Sequence, residues 1–420
     1  MRTFIFFIFL SCTFPSFAQD KYDAMKHIQK LCSKEFAGRG YVQNGDKTAA
    51  DYLAKQLKIW KLQSFSKNYF QRFKISVNTF PSSMFLKVDT NELVAGIDFL
   101  IDPSSNGLTG NYDILRVTPQ LLIDTSSENL IFLAQLKNKV MYFDTLGLAK
   151  LKMISLIDKV LHSNPFGAAA IIMPVGSKMT WGVSTDVEKH TILYVDSKYL
   201  QNIPKKMKVD IKNRFYNGYK TQNVIGTIQG EIDSFVVFTA HYDHLGKMGR
   251  TAIFPGAHDN ATGTATVLEL AKYFSKLSQK PKYSVAFMFF TGEELGLLGS
   301  FYYAANPLFP LSKIKFLLNL DLLGSGDDGV QVVNSTVHPT YYEKLLSINE
   351  TEQLLPQIKP RGPAANSDHF PFYKKGVPAF FIYSLGTYKE YHNVHDKAEN
   401  LVLPKYTEIF NLMLKFYQSL

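Results

Sequence analysis

The chain has 420 residues, 46% hydrophobic and 20% charged, with a formal net charge of +10 and two cysteines. That length and composition describe a globular chain able to bury a large core, not a disordered or fibrous one. Its basic residues are scattered without a dense Lys/Arg run, which leaves no nucleic-acid footprint, and two cysteines cannot build a disulfide framework.

The first residues, MRTFIFFIFLSCTFPSFAQD, read as an export signal. Arg2 supplies the positive start, Phe4 to Phe9 the apolar core, and Ser16-Phe17-Ala18 a cleavage-like site. The expectation is a signal peptide over 1–18 and a periplasmic or secreted product. A lipoprotein signal ending at Cys12, with a lipid anchor, is the alternative. The apolar run is too short to span a bilayer, and no later stretch is long and apolar enough. Cleavage after Ala18 leaves Cys32 alone, so any metal must rest on histidines and carboxylates.

Residues 22–63 read as helical around a Gly-rich loop, FAGRGYVQNG, with Ala49, Leu53, Leu57 and Trp60 at helical spacing. YFQRFKISVNTF then alternates as a strand. From 96 to 215 the texture changes to short strands between loops: NKVMYFDTL, FGAAAIIMPVG and HTILYVDSKYL. A β-rich inserted unit is expected there, splitting one domain into 19–95 and 216–420. Beyond 222 strands and helices alternate. NVIGTIQG, DSFVVFTAHYDHLG and KYSVAFMFFTGEE are strands, and NATGTATVLELAKYFSKLS is a helix with Asn260 or Thr262 as its cap. SKIKFLLNLDLLG, a helical YYEKLLSINE, a strand GVPAFFIYS and a helix KYTEIFNLMLKFYQSL complete the chain. This rhythm predicts a three-layer α/β/α fold with a mainly parallel mixed central sheet, plus the β-rich insertion.

Polar residues gather where the buried strands end. His241, Asp243 and His244 follow SFVVFTA, Asp259 opens a helix, and Glu293 and Glu294 follow VAFMFFTG. Asp321 follows IKFLLNL, while His392, His395 and Asp396 follow the last strand. In open α/β sheets the ligand crevice lies at the carboxyl ends of the strands. Buried charges need partners, a metal supplies them, and imidazole with carboxylate suits zinc.

FTAHYDHLG, GAHDNATGTATVLELA, FFTGEELGLLGS, LNLDLLG, SDHFPFYKKGVPA and YHNVHDKAENL stand in an order that resembles the co-catalytic two-zinc aminopeptidases of the bacterial aminopeptidase S and Y type. The resemblance covers 222–420, and LCSKEFAGRG with KTAADYLAKQL is similar to that family's opening segment. It implies two Zn2+ ions per chain: one on His241 and Asp321, one on Glu294 and His392, with Asp259 bridging. It also implies Glu293 as general base, Asp243 orienting His241, and Tyr391 donating to the oxyanion. His244 and His395 are expected beside the ligands, Asp368 and His369 lining the pocket or bracing ligands, and Gly38, Arg39 and Gly40 shaping a nearby loop. His258 stands where the family more usually has Asp. The insertion resembles a protease-associated domain.

The implied activity is release of N-terminal residues from peptide substrates. A glutaminyl-peptide cyclotransferase, with one zinc on Asp259, Glu294 and His392, is the alternative on the same fold. Asn260 after the bridging Asp, the short GEELGLLGS, and Tyr391 where cyclases tend to carry Trp favour the peptidase. A non-catalytic, receptor-like relative is disfavoured, because every implied ligand and the base are present.

Overall fold

The computed structural model of the protein describes residues 21–65, 67–145 and 154–420; the expected export signal and Cys12 lie outside them. The helices are α1 (Lys21–Leu31), α2 (Gly45–Ile59), α3 (Pro119–Ile123), α4 (Ser127–Ala134), α5 (Ile154–Ser163), α6 (Thr262–Ser275), α7 (Leu298–Ala305), α8 (Pro339–Glu352), α9 (His369–Lys374) and α10 (Tyr406–Gln418). The strands before residue 212 are β1 (Phe70–Thr79), β2 (Phe85–Val88), β3 (Asn91–Leu93), β4 (Phe99–Ile101), β5 (Leu108–Val117), β6 (Val140–Phe143), β7 (Ala170–Val175), β8 (Thr191–Asp196) and β9 (Lys206–Ile211). After it come β10 (Arg214–Ile228), β11 (Ile232–His241), β12 (Gly246–Met248), β13 (Ala252–Phe254), β14 (Tyr283–Phe290), β15 (Ile314–Leu320), β16 (Val330–Val333), β17 (Ile358–Arg361) and β18 (Ala379–Ser384).

The first sheet has the order β1-β10-β14-β11-β15-β18-β16-β17. Its centre, β14-β11-β15-β18, is parallel, and antiparallel pairing appears at β1-β10, β10-β14 and β16-β18. Side chains alternate between the two faces of a strand, so each central strand feeds two cores. Val236, Phe238, Phe287, Phe289 and Leu318 pack under α1, α2, α6, α8 and α10. Val237, Ala286, Met288 and Leu317 face Tyr303 of α7 and Phe372 of α9. This gives the expected three-layer α/β/α arrangement, in which each fully buried Phe or Leu contributes about 1.5–3 kcal/mol.

A second sheet has the order β3-β2-β9-β5-β6-β7-β8-β4. It begins at Phe85, about ten residues before the expected boundary at 95/96, because β2 pairs with β9 on one side and β3 on the other. Alternation along β2 looks the same whichever sheet receives it; only a partner more than a hundred residues away decides. One face of this sheet shares a core with Leu245, Met248, Phe254 and Val394, which follow β11 and β18 of the first sheet, Met248 and Phe254 on the short hairpin strands β12 and β13. Among the described residues no helix is long and apolar enough to cross a membrane.

At the start of α6 the capping residue is Ala261, which has no capping side chain, rather than Asn260 or Thr262. Asn260 Oδ1 nonetheless accepts from Gly263 N at 2.9 Å, while Thr262 donates to His258 O at 2.9 Å.

Candidate metal centre

Parallel register sets the site. His241 at the end of β11 pairs with Phe290 at the end of β14, and Thr239 pairs with Asn319 near the end of β15. The residues just beyond, Asp243, Glu293, Glu294 and Asp321, therefore leave the sheet along one edge. The turn before α6 brings Asp259, and the loop after β18 brings Tyr391 and His392.

These side chains converge. His241 Nε2 lies 3.2 Å from Asp259 Oδ1 and 3.4 Å from Asp321 Oδ1. His392 Nε2 lies 2.9 Å from Asp259 Oδ2 and 3.1 Å from Glu294 Oε2. Asp259 thus turns one oxygen towards each imidazole. Two overlapping donor groups result, His241–Asp259–Asp321 and His244–Asp259–Glu294–His392, each with its donor atoms within 4.8 Å of one another.

The donor atoms fit a divalent cation. His241 Nδ1 sits 3.1 Å from the Asp243 carbonyl oxygen, and His392 Nδ1 sits 3.1 Å from the Trp181 carbonyl oxygen. A carbonyl accepts only, so Nδ1 carries the proton and each Nε2 directs its lone pair at carboxylate oxygens. A lone pair and a carboxylate facing each other in a buried site need a cation between them, whether a proton or a metal. Asp321 Oδ1, buried, accepts no hydrogen bond. No thiol is present, and imidazole with carboxylate is a zinc donor set.

Protonation follows the crowding. Burial pushes the Asp259 carboxyl up, but hydrogen bonds from His241 and His392 outweigh it and hold it well below the usual carboxylate range. Glu294 is held at about 2, where burial and Asp259 are overcome by His392 and His244. Burial lowers His392, yet Glu294 and Asp259 raise it to about 11. Glu293 moves the other way. Burial drives it well above the carboxylate range, and Glu294, Asp368 and Asp321 reinforce burial against the pull of His241.

The remaining expected residues take distinct places. Asp243 is fully buried, and its carboxylate accepts from Tyr41 Oη at 3.1 Å and Glu293 N at 3.3 Å. Its backbone oxygen is nearer His241 Nδ1 than its carboxylate, which stands 3.7 Å away. Tyr391 is 44% exposed, with its ring stacked on His392 at 3.8 Å between centroids. His244 lies inside the second donor group, its Nδ1 2.6 Å from Glu294 Oε1, whereas His395 is exposed. Asp368 accepts from Ser300 Oγ at 2.5 Å and is raised to about 7, chiefly by burial. His369 is buried against Phe381, and burial lowers its pKa to about 4. His258, also buried, accepts from Gly324 N through Nδ1 at 3.0 Å, and burial lowers its pKa.

Several supports escape sequence reasoning. Arg39, fully buried, donates to the carbonyls of Tyr242 at 2.8 Å, Pro255 at 2.6 Å, Gly256 at 2.8 Å and Asp259 at 3.2 Å. It ties the end of β11 to the turn that carries Asp259. Gly40 admits this arrangement because a Cβ there would stand 2.5 Å from the Gly246 backbone. Asp396 accepts from the backbone of His258 at 2.8 Å and of Asp259 at 3.1 Å, fixing that turn from the other side. Ser367 Oγ, which takes a hydrogen bond from Asn319, donates to Asp321 Oδ2 at 3.0 Å. Trp181, from the loop between β7 and β8, donates its backbone N–H to His392 O at 2.8 Å and so grips a residue whose φ is 53°. The strand-end pattern flagged Asp396; nothing local flags Trp181 or the reach of Arg39.

Comparison with known proteins bears out the family resemblance. Residues 223–417 match Peptidase family M28. Leucine aminopeptidase 1 of Arthroderma otae is 29% identical over 181 residues, covering 40% of this chain and 48% of that protein. Aminopeptidase YwaD of Bacillus subtilis is 25% identical over 261 residues, covering 58% and 55%. The chain spans about half the length of these curated relatives. Among solved structures, a zinc aminopeptidase from Bacillus subtilis has a TM-score of 0.70 and 19% identity, covering 95% of this chain and 94% of that one. That likeness speaks for the fold.

Proposed function

We propose that this chain, whose residues 223–417 match Peptidase family M28, is a zinc-dependent aminopeptidase that hydrolyses N-terminal residues from peptides. The names of the relatives support the class of reaction. One observation carries the dinuclear reading: Asp259 offers its two oxygens to two separate donor groups. His241 and Asp321 would hold one zinc, Glu294 and His392 the other, with Asp259 between them. Bound zinc supplies Lewis-acid polarisation of the scissile carbonyl, acidifies a water to a pKa of about 7, and offsets the carboxylates that otherwise push Glu293 up.

The chain's own groups do the rest. Glu293 takes the proton of the attacking water and returns it to the leaving amine. Asp243, through its hydrogen bond from Glu293 N, fixes where the base stands. Tyr391 lines the cavity next to His392, where its hydroxyl can donate to the developing oxyanion.

Metal stoichiometry of the purified protein, with aminoacyl-arylamide cleavage before and after chelation, tests the reading. Two zincs per chain and chelator-sensitive cleavage are expected. Asp321→Ala should lose one metal, His392→Ala the other, and Asp259→Ala both. One zinc in the native protein, with cyclisation of a glutaminyl peptide and no arylamide cleavage, would overturn it and leave His241 and Asp321 unused.

A further inference from the structure

The cavity beside the metal centre has a volume of about 290 Å³. Ligand cavities run from about 300 to 1,000 Å³, so this one suits a one- or two-residue ligand. Asp259, Glu293 and Asp321 line it, and so does Arg361, the one lysine or arginine among the described residues that line it. Arg361 ends β17, where its backbone is pinned: its N donates to Ser335 Oγ at 2.9 Å, and Ser335 Oγ donates to its O at 3.2 Å. The guanidinium is aimed as well. Nη1 donates to Tyr383 Oη at 2.9 Å, and Tyr383, another lining residue, donates in turn to Gln331 Oε1 at 3.1 Å.

Among the described residues Arg361 has no carboxylate partner, and its Nε and Nη2 make no protein hydrogen bond. Nor does it pair with the acidic side chains that share the cavity. A guanidinium fixed on one side and open on the other presents a planar fork, which matches a carboxylate better than any neutral group. Asn366, also lining the cavity, adds an amide that can donate to the same oxygen pair.

We infer that Arg361 is a specificity-determining residue that pairs with a carboxylate of the substrate. That carboxylate is either the side chain of an N-terminal Asp or Glu, or the free C-terminus of a dipeptide. The inference rests on the peptidase reading above and assigns it a substrate class.

The test compares ratios of kcat/KM within matched pairs, on the zinc-loaded protein and on Arg361→Gln and Arg361→Lys. One arm sets Asp- and Glu-arylamides against Asn- and Gln-arylamides. The other sets Leu-Gly against Leu-Gly-amide. A preference of roughly ten- to a hundredfold for the carboxylate-bearing member is expected in one arm. Arg361→Gln should bring that ratio close to one, and Arg361→Lys should restore part of it. Calorimetric binding of free aspartate against leucine, or of Gly-Gly against its amide, should lose the same preference in Arg361→Gln. Ratios near one in both arms of the native protein, or a preference that survives Arg361→Gln, would overturn the inference while leaving the peptidase standing. Chelator-sensitive release of leucine from Leu-Gly-amide reports on the peptidase separately; with no peptide hydrolysed at all, both fail.

Discussion

Arg39 shows how much of this site depends on a side chain that never touches it. Its guanidinium is enclosed, and the carbonyls of Tyr242, Pro255, Gly256 and Asp259 all spend an acceptor on it. Arg39→Met should leave those oxygens unpaired and destabilise the protein by at least about 3 kcal/mol, read from urea unfolding. Arg39→Lys keeps the charge without the fork and should fall between the two. Glu293→Gln tests a different role. It keeps the volume and removes the proposed base, so kcat should drop by roughly two to four orders of magnitude while elemental analysis still finds the metal. At this scale the sequence is readable for chemistry and silent about support. His241, Glu294 and Asp321 declare themselves because each is a charged or ligating residue directly after an apolar run. Arg39 and Tyr242 lie about two hundred positions apart, and no local pattern joins them.

Elements are legible where burial writes a long signature. Strands β11, β14 and β15 carry the apolar runs FVVF, VAFMFF and FLL, buried because helices cover both their faces, and such runs stand out. The short β2 and β3 carry too few residues to reveal which sheet they join. Helix α2 supplies a pH dependence. Asp46 in its first turn is fully buried and accepts from Tyr219 Oη at 2.7 Å and Thr221 Oγ1 at 2.9 Å, both on β10. Burial raises its pKa from 3.8 to about 6 despite those hydrogen bonds. The folded state therefore binds this proton more tightly than the unfolded chain. The resulting stability is complete below the unfolded value and lost as pH rises through about 6. Relative to the native protein, Asp46→Asn should gain on the order of 2 kcal/mol between about pH 4 and pH 7, measured by denaturant titration at each pH. A second prediction belongs to the loop between β7 and β8. Trp181 is held by a hydrogen bond from its indole to Ile101 O at 2.8 Å and by stacking on Phe254. Trp181→Ala should loosen the grip on His392 and weaken metal binding by roughly tenfold, seen by competition with a chelator.

The molecule is arranged around a concentration of negative charge with which, among the described residues, no lysine or arginine forms an ion pair. Asp243, Asp259, Glu293, Glu294 and Asp321 crowd one strand-end edge, and among the described residues the donor groups pair them with imidazoles. Removing bound metal should lower the thermal midpoint by roughly 5 °C or more, because a ligand that binds only the folded state stabilises it by mass action. Restoring zinc should recover the midpoint in differential scanning calorimetry. The three-layer fold was readable from the alternation of strand and helix, and the convergence of the candidate donors His241, Glu294 and Asp321 followed from parallel strands ending together. The packing of the second sheet against the site loops was not readable, since Phe254 and Val394 look like ordinary core residues until both sheets are present.

That packing has a consequence in time. His392 comes near the end of the chain, and the carbonyl that orients its ring belongs to residue 181, on a loop of the other sheet. The centre is thus assembled from an early arginine, a mid-chain loop and a late histidine. A chain cut short, or one whose second sheet has yet to pair, lacks either the ligand or its brace. The proposed hydrolase would come into being all at once, on completion, with no half-built form able to attack its neighbours.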